Sequence, residues 1–230
     1  MSQGQRRNAD PAATPPVRVM LRPIGSPLTV GMSGLAIASL VQSGVELHWT
    51  ASSQDPQAGL VLLAVPFVLQ LLACVLSYLV RDGATGAAVG VLSTSWLAIG
   101  LIDVSSHPGS TSGPLGLLML AAGGVLALTA AAIATEKLLP ALVFGSAAVR
   151  FAASGIHELS SAPGWQTVAG LLGLLVCALA GYAAFAFELE GQRERPVLPT
   201  LRRAPARRQL CEPSVDPGRL AREPGVRESA

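Results

Sequence analysis

Six stretches of bilayer-spanning length dominate the middle of the chain, five of them continuously hydrophobic and one interrupted by Arg150. A helix rises ~1.5 Å per residue, so about 20 apolar residues cover the ~30 Å hydrocarbon core of a bilayer. Only 13% of the 230 residues are charged, too few for the surface of a soluble domain of this size. The sequence therefore predicts an all-α integral membrane protein, a bundle of six transmembrane helices. The predicted spans are 28–45, 58–80, 84–102, 114–134, 138–156 and 165–187.

The basic residues indicate how this bundle is oriented. Fifteen of the sixteen Lys and Arg residues lie in the two terminal segments or in the connections after the second and fourth spans, which carry Arg81 and Lys137. The connections after the first, third and fifth spans contain neither Lys nor Arg. Because cytoplasmic loops are enriched in these residues, both termini are predicted to be cytoplasmic. We expect a multi-pass protein of the cell membrane.

The terminal segments differ in composition from the spans. Residues 1–27 and 191–230 are rich in Arg, Pro and small polar residues and lack an apolar stripe. They are predicted to be disordered cytoplasmic tails that flank a transmembrane domain of residues 28–190. The Arg pairs of the C-terminal tail either contact anionic lipid headgroups or simply fix the topology. Nucleic-acid binding is not indicated, because these basic residues occur without neighbouring aromatic residues or a folded platform.

Polar side chains recur at helical spacing in four of the six spans. Such a stripe either packs helices closely, which is its commonest role, or lines a path for a solute. The polar members that we consider as path-lining candidates are Gln70 in the second span, Ser93 in the third, and Ser146, Arg150 and Ser154 in the fifth.

Arg150 is the residue that most invites a functional interpretation. By helical rise it lies ~18 Å from the cytoplasmic end of its span. A charge at such depth costs about 2.5–3.5 kcal/mol on insertion scales. In one interpretation the unpaired guanidinium faces a cavity and attracts an anion, whose carboxylate would fit its planar fork. In the other, the side chain extends outward to a structural partner at the outer rim, namely Glu46, Asp103 or Glu158.

Acidic residues and all three histidines are predicted at the outer mouth. Histidine titrates near ~6.5, so Glu46, Asp103 and His157 are candidates for proton uptake or a pH gate, although ordinary polar loops are the simpler explanation. No metal site is predicted, because these residues come from separate loops without a diagnostic spacing. The chain also lacks the common catalytic and nucleotide-binding motifs. We therefore expect a protein that is not an enzyme and uses no cofactor.

Short motifs spread over residues 23–200 resemble those of a known family. They are Ser26-Pro27-Leu28 with Gly31-x-x-Gly34, the run Gln70-Leu-Leu-Ala-Cys-Val-Leu-Ser-Tyr78 followed by Gly86 and a Ser-containing stretch ending at Trp96, then Gly164-Trp165, and Val197-Leu198-Pro199. In order and spacing they are similar to the acetate uptake transporter family, the YaaH-like succinate–acetate permeases, of which this chain resembles a divergent member.

The resemblance implies six helices around a private pore, commonly in a homohexamer that passes acetate, succinate or related carboxylates together with protons. It places two of the family's aromatic constriction positions on Ser33 and Leu92, and a third near residues 149–152. The family's leading Asn-Pro falls on Ile24-Gly25. An Arg at position 150 is not expected from the family.

Three functions are compatible with these features. In a carboxylate transporter or channel, Arg150 draws the anion, the side chains of Ser33, Gln70 and Ser93 bridge it, and Leu92 gates the path. Proton coupling is left open. In a channel for a neutral solute such as urea or a short amide, Arg150 is paired away from the pore. A membrane scaffold, the third possibility, would recruit a partner through its Arg-rich tail and would lack a continuous cavity.

Overall fold

A computed structural model of the chain describes residues 26–193 and 197–201. The described part is helical, with six segments long and apolar enough to cross a membrane. The six-span all-α fold is thus confirmed. The helices are α1 (Pro27–Glu46), α2 (Asp55–Ala64), α3 (Pro66–Leu79), α4 (Gly83–Ser105), α5 (Gly113–Ile133), α6 (Leu138–Ser160) and α7 (Pro163–Arg193), and a 3-10 turn (Ser52–Gln54) precedes α2.

The second span is broken, although the sequence predicts one helix over residues 58–80. It consists of α2 and α3, which meet at Val65 with φ −118° and ψ −71°. Pro66 follows, and a proline inside a helix removes one backbone donor and clashes with the preceding turn. The Leu69 N–H donates to Val65 O at 3.0 Å, so the helical ladder resumes directly after the break. The span is therefore kinked while still crossing the bundle.

The six spans form a closed ring in chain order. Each span packs against its neighbours in sequence, and α7 closes the ring against α1. The fifth span, α6, is the most enclosed: 67% of its apolar 18-residue stretch is buried inside the protein, compared with 28–44% of the same length in the other spans. Side chains on the inner face of α6 therefore lie in the interior of the ring, and Arg150 is one of them.

The two ends of the bundle carry different charges. At one end, the connections after α3 and α5 are joined by an ion pair of 2.6 Å between Lys137 Nζ and Asp82 Oδ2. At the other end, the backbone N–H of Ser112 donates to Glu158 and that of Gly109 donates to Asp55. We call these the basic end and the acidic end. Their separation agrees with the alternation of charge along the chain, and a cytoplasmic location of the basic end stays a prediction.

Large apolar side chains cover the outside of the ring. On α3, for example, Val68, Leu72 and Val75 are each about half exposed. Such a surface is compatible with lipid, where the helices satisfy their own backbone hydrogen bonds. The protein is therefore a multi-pass membrane protein.

The segment after α7 lies against the bundle. Helix α7 continues to Arg193, past the predicted domain end at residue 190. Beyond it, Thr200 is buried and the Tyr182 hydroxyl donates to Pro199 O at 3.2 Å. Residues 197–201 therefore lie in contact with the helices although the sequence assigns them to a tail. The rest of the predicted tails, residues 1–25, 194–196 and 202–230, lies outside the described residues.

Candidate functional site

A small cavity opens at the acidic end of the ring. Its volume is about 80 Å³, enough to hold water. We call this cavity the vestibule. Its charged and titratable lining comes from five parts of the chain and comprises Glu46, Asp55, Asp103, His107, His157 and Glu158. The predicted outer-mouth residues Glu46, Asp103 and His157 thus lie together, and four carboxyl groups face one small space.

A buried ion pair lies at the bottom of the vestibule. Arg150 Nη2 donates to Glu46 Oε2 at 3.2 Å, and the two side chains are only 2% and 8% exposed. The Ser154 hydroxyl donates to the other carboxylate oxygen at 3.1 Å. The expectation of an unpaired guanidinium is therefore wrong. The long Arg side chain extends toward the acidic end and pairs with Glu46, the last residue of α1. Glu46 is one of the three structural partners that the second interpretation of Arg150 predicted.

An aromatic cluster holds the guanidinium from another side. Arg150 Cζ lies 5.5 Å from the centroid of the Trp96 ring, within range of a cation–π interaction. The Trp96 ring in turn meets Phe151 edge to face, with centroids 5.6 Å apart. Both rings are fully buried. Trp96 was predicted only as the end of a motif. Its position in mid-span, away from the interfaces where Trp is usually found, was a feature that the sequence alone could have shown.

Several buried polar atoms at or near the ion pair have no hydrogen-bond partner among the described residues. They include Arg150 Nε, Trp96 Nε1 and Ser43 Oγ, and the same holds for Ser39 Oγ, one turn before Ser43 on α1. Buried polar groups are normally hydrogen-bonded, so unpartnered donors mark a place suited to a polar solute or water. Ser39, Ser43 and Glu46 follow helical spacing on α1, a pattern that could have been predicted from the sequence.

A glycine on α7 makes room for these donors. A Cβ added at Gly173 would lie 2.6 Å from Arg150 Nε and closer still to Ser43 Oγ. The two polar atoms thus face the same bare stretch of α7. Only glycine leaves that space to them.

The other predicted path residues form hydrogen bonds to backbone carbonyls. Gln70 Nε2 donates to Gly31 O at 3.2 Å and links α3 to α1, and the Ser93 hydroxyl donates to Phe67 O at 2.9 Å and links α4 to α3. Ser33 and Ser146 donate to carbonyls of their own helix. The contacts of Gln70 and Ser93 join neighbouring spans, and the structure does not bring the four residues to the ion pair.

Leu92 lies one helical turn from Trp96 on α4, toward the basic end, and is fully buried. Together with Trp96 and Phe151 it belongs to the buried apolar core of the ring. Its gating role stays a prediction.

The chain is similar in structure to a solved membrane channel. With the bacterial acetate channel SatP it shares a TM-score of 0.69 and 21% sequence identity, over 77% of this chain and 99% of that chain. No protein-family model matches the sequence, and no curated protein does. Nearly the whole of SatP therefore has its counterpart here, and the two proteins share the six-helix fold.

Proposed function

We propose that this protein is a transporter or channel for small carboxylates such as acetate or succinate, and a divergent member of the acetate uptake transporter family. It acts in the cell membrane as a homo-oligomer, a hexamer by the family resemblance, with both termini in the cytoplasm. The observation that carries the proposal is the buried Arg150, with an unpartnered Nε, inside a ring that has the fold of an acetate channel.

The electrostatics of the route support proton-accompanied passage. The carboxyl groups of Asp55, Asp103 and Glu158 at the vestibule disfavour an anion, whereas the Arg150 guanidinium beyond them attracts one wherever Glu46 does not neutralise it. A carboxylate passes such a sequence of charges most easily when a proton travels with it. Below Arg150 the solute meets Leu92 and the two aromatic rings, which must move to open the path.

Labelled acetate uptake into proteoliposomes tests this function. The informative variant replaces both members of the pair, Glu46→Gln with Arg150→Leu, because removing one charge leaves the other buried and unpaired. We expect wild-type uptake well above that of empty vesicles, and uptake by the double variant within about twofold of the empty-vesicle rate, as expected when a charge-assisted contact is lost. Gly181→Ala on α7, where an added Cβ meets nothing within 4 Å, is the matched control and should transport normally.

A channel for a neutral solute is the second candidate. The pairing of Arg150 with Glu46 favours it, because an ion pair of zero net charge is what that hypothesis predicts. Urea flux in the same vesicles distinguishes the two: urea entry that is independent of pH and membrane potential, without acetate entry, would replace the carboxylate proposal. The scaffold hypothesis depends on the tails, which lie largely outside the described residues.

A further inference from the structure

Glu46 lies between the vestibule and Arg150. Its side chain lines the vestibule, and its Oε2 accepts the hydrogen bond from the guanidinium. Arg150 is one helical turn deeper than Ser154, which also lines the vestibule. A solute that enters from the acidic end therefore reaches Glu46 before it reaches the guanidinium.

The contact between Glu46 and Arg150 uses only part of the guanidinium. It consists of one hydrogen bond, from Nη2, whereas Arg–carboxylate pairs are often bidentate. Glu46 is also the last residue of α1, where the helix dipole places partial negative charge and disfavours a carboxylate. The guanidinium is therefore paired without being saturated.

Donors for a second carboxylate lie beside the pair. Arg150 Nε and Trp96 Nε1 are buried N–H groups without a hydrogen-bond partner among the described residues, and Ser43 Oγ adjoins Arg150 Nε at Gly173. The rings of Trp96 and Phe151 supply an apolar surface next to the guanidinium. A small monocarboxylate that displaced Glu46 from Arg150 would therefore meet unpartnered donors and an aromatic surface.

The surroundings of Glu46 make its charge costly once Arg150 is occupied. The groups that face it from the packed elements are Arg150, Ser154, His157 and Glu158 of α6, Asp103 of α4, and, across the vestibule, Asp55 of α2 and His107 of the connection after α4. Apart from Arg150 and the two histidines, the ionisable groups in this set are carboxyl groups. If the guanidinium turned to another anion, Glu46 would be a buried carboxylate without its counter-ion, which is strongly unfavourable.

We infer that a substrate carboxylate and Glu46 compete for Arg150, and that Glu46 gives up the guanidinium by taking a proton from the vestibule. One proton and one carboxylate enter the site together, giving a substrate–Arg150 ion pair and a neutral Glu46 carboxylic acid. When the substrate leaves, Glu46 releases the proton and pairs again with Arg150. No net charge crosses with the substrate. The inference rests on the proposed function and adds the residue and stoichiometry of coupling.

Infrared difference spectroscopy of the purified full-length protein tests the exchange directly. On addition of ¹³C-labelled acetate at neutral pH, we expect the C=O stretch of a protonated carboxylic acid to appear in the wild type and to be absent in Glu46→Gln. The isotope separates the bands of acetate from those of the protein. Saturable acetate binding without a new protonated-acid band, or with a band that persists in Glu46→Gln, would overturn the inference while leaving the proposed function intact.

Charge measurements in vesicles provide the second readout. Wild-type acetate transport should be electroneutral and accelerated by an acidic exterior. In Glu46→Gln the competitor is gone, so we expect KM to fall at least ~tenfold, which corresponds to 1.4 kcal/mol, and transport to carry net negative charge without pH dependence. Electroneutral, pH-dependent transport by that variant would contradict the inference. If the wild type moves no acetate at all, the proposed function itself fails.

Two further variants separate coupling from folding. Glu46→Asp keeps a titratable group and should retain the protonated-acid band and electroneutral transport at a lower rate, so it can replace the Gln variant as the test if that variant is unstable.

Trp96→Phe keeps an aromatic ring and removes only the N–H donor. We expect it to raise the KM for acetate about ten- to a hundredfold, the value of one lost hydrogen bond to a charged group, and to leave electroneutrality unchanged. An unaltered KM would remove Trp96 from the binding site.

Discussion

Two ion pairs within the described part of the chain have the same kind of partners and very different surroundings. Lys137 and Asp82 join two connections at the basic end, with 35% and 24% of their side chains exposed. Arg150 and Glu46 join α6 to α1 inside the ring, with 2% and 8% exposed. The shorter contact is the exposed one, 2.6 Å against 3.2 Å. Distance is therefore a poor guide to importance, because what a charge loses when its partner is removed depends on how much water can replace that partner.

Removing Arg150 alone should have the largest effect on stability. Arg150→Leu leaves the Glu46 carboxylate buried and unpaired, which typically costs ~3–5 kcal/mol. Unfolding in detergent by a denaturant titration measures the loss. The double variant with Glu46→Gln should recover most of it, since no isolated charge remains. Equal losses in the single and double variants would show that the Arg side chain contributes through packing and not through charge.

Filling the space at Gly173 should be the next largest effect. In Gly173→Ala the new methyl group meets Arg150 Nε and Ser43 Oγ at once, and overpacking of this kind costs ~1–3 kcal/mol. Thermal unfolding measures the cost, and acetate uptake should fall as well because the donors are displaced. Gly181→Ala on the same helix meets nothing, so it should be neutral or slightly stabilising, since Ala is the better helix former. Similar melting temperatures for the two variants would contradict the close approach at Gly173.

Breaking the exposed pair should matter much less. Lys137→Met removes one partner where water can solvate the other, so we expect a loss of ~0–1 kcal/mol that shrinks further in high salt. The same unfolding titration, at low and high ionic strength, measures both. A loss as large as that of Arg150→Leu would mean that the basic end is far less accessible to water than the exposures indicate.

The pH dependence of the exposed pair should be the smallest effect. Burial alone would raise the pKa of Asp82, but the hydrogen bond and charge of Lys137, with hydrogen bonds from Thr85, leave that pKa below its usual range. A lowered native pKa stabilises the folded protein above the unfolded value of about 3.9, and this contribution is lost as the pH falls through the native pKa. The stability difference between wild type and Asp82→Asn should thus be constant at neutral pH and vanish in strong acid. A stability difference that grows on acidification would mean that folding raises the pKa of Asp82 instead of lowering it.

The sequence predicted the architecture well because bilayer insertion is a local property. The length and polarity of each stretch decide whether it spans, and the alternation of Lys and Arg between connections agrees with the two ends seen in the structure. The depth of Arg150 followed from helical rise. Glu46, Asp103 and His157 were predicted at the same end because successive spans run in opposite directions, so alternate connections lie on the same side of the membrane. The kink could have been predicted from the position of Pro66 within the span 58–80, but the prediction treated that region as one straight helix.

What the sequence by itself determined is the set of six spans, the separation of the charged ends and the placement of one Arg within the membrane, since each depends on residues close together in the chain. Only the tertiary structure decided that Arg150 pairs with Glu46, 104 residues away, and that Trp96, Ser43 and Gly173 surround it. Those contacts depend on the rotation of each helix about its axis. That rotation is set by how all six side-chain surfaces pack together, and no single span encodes it.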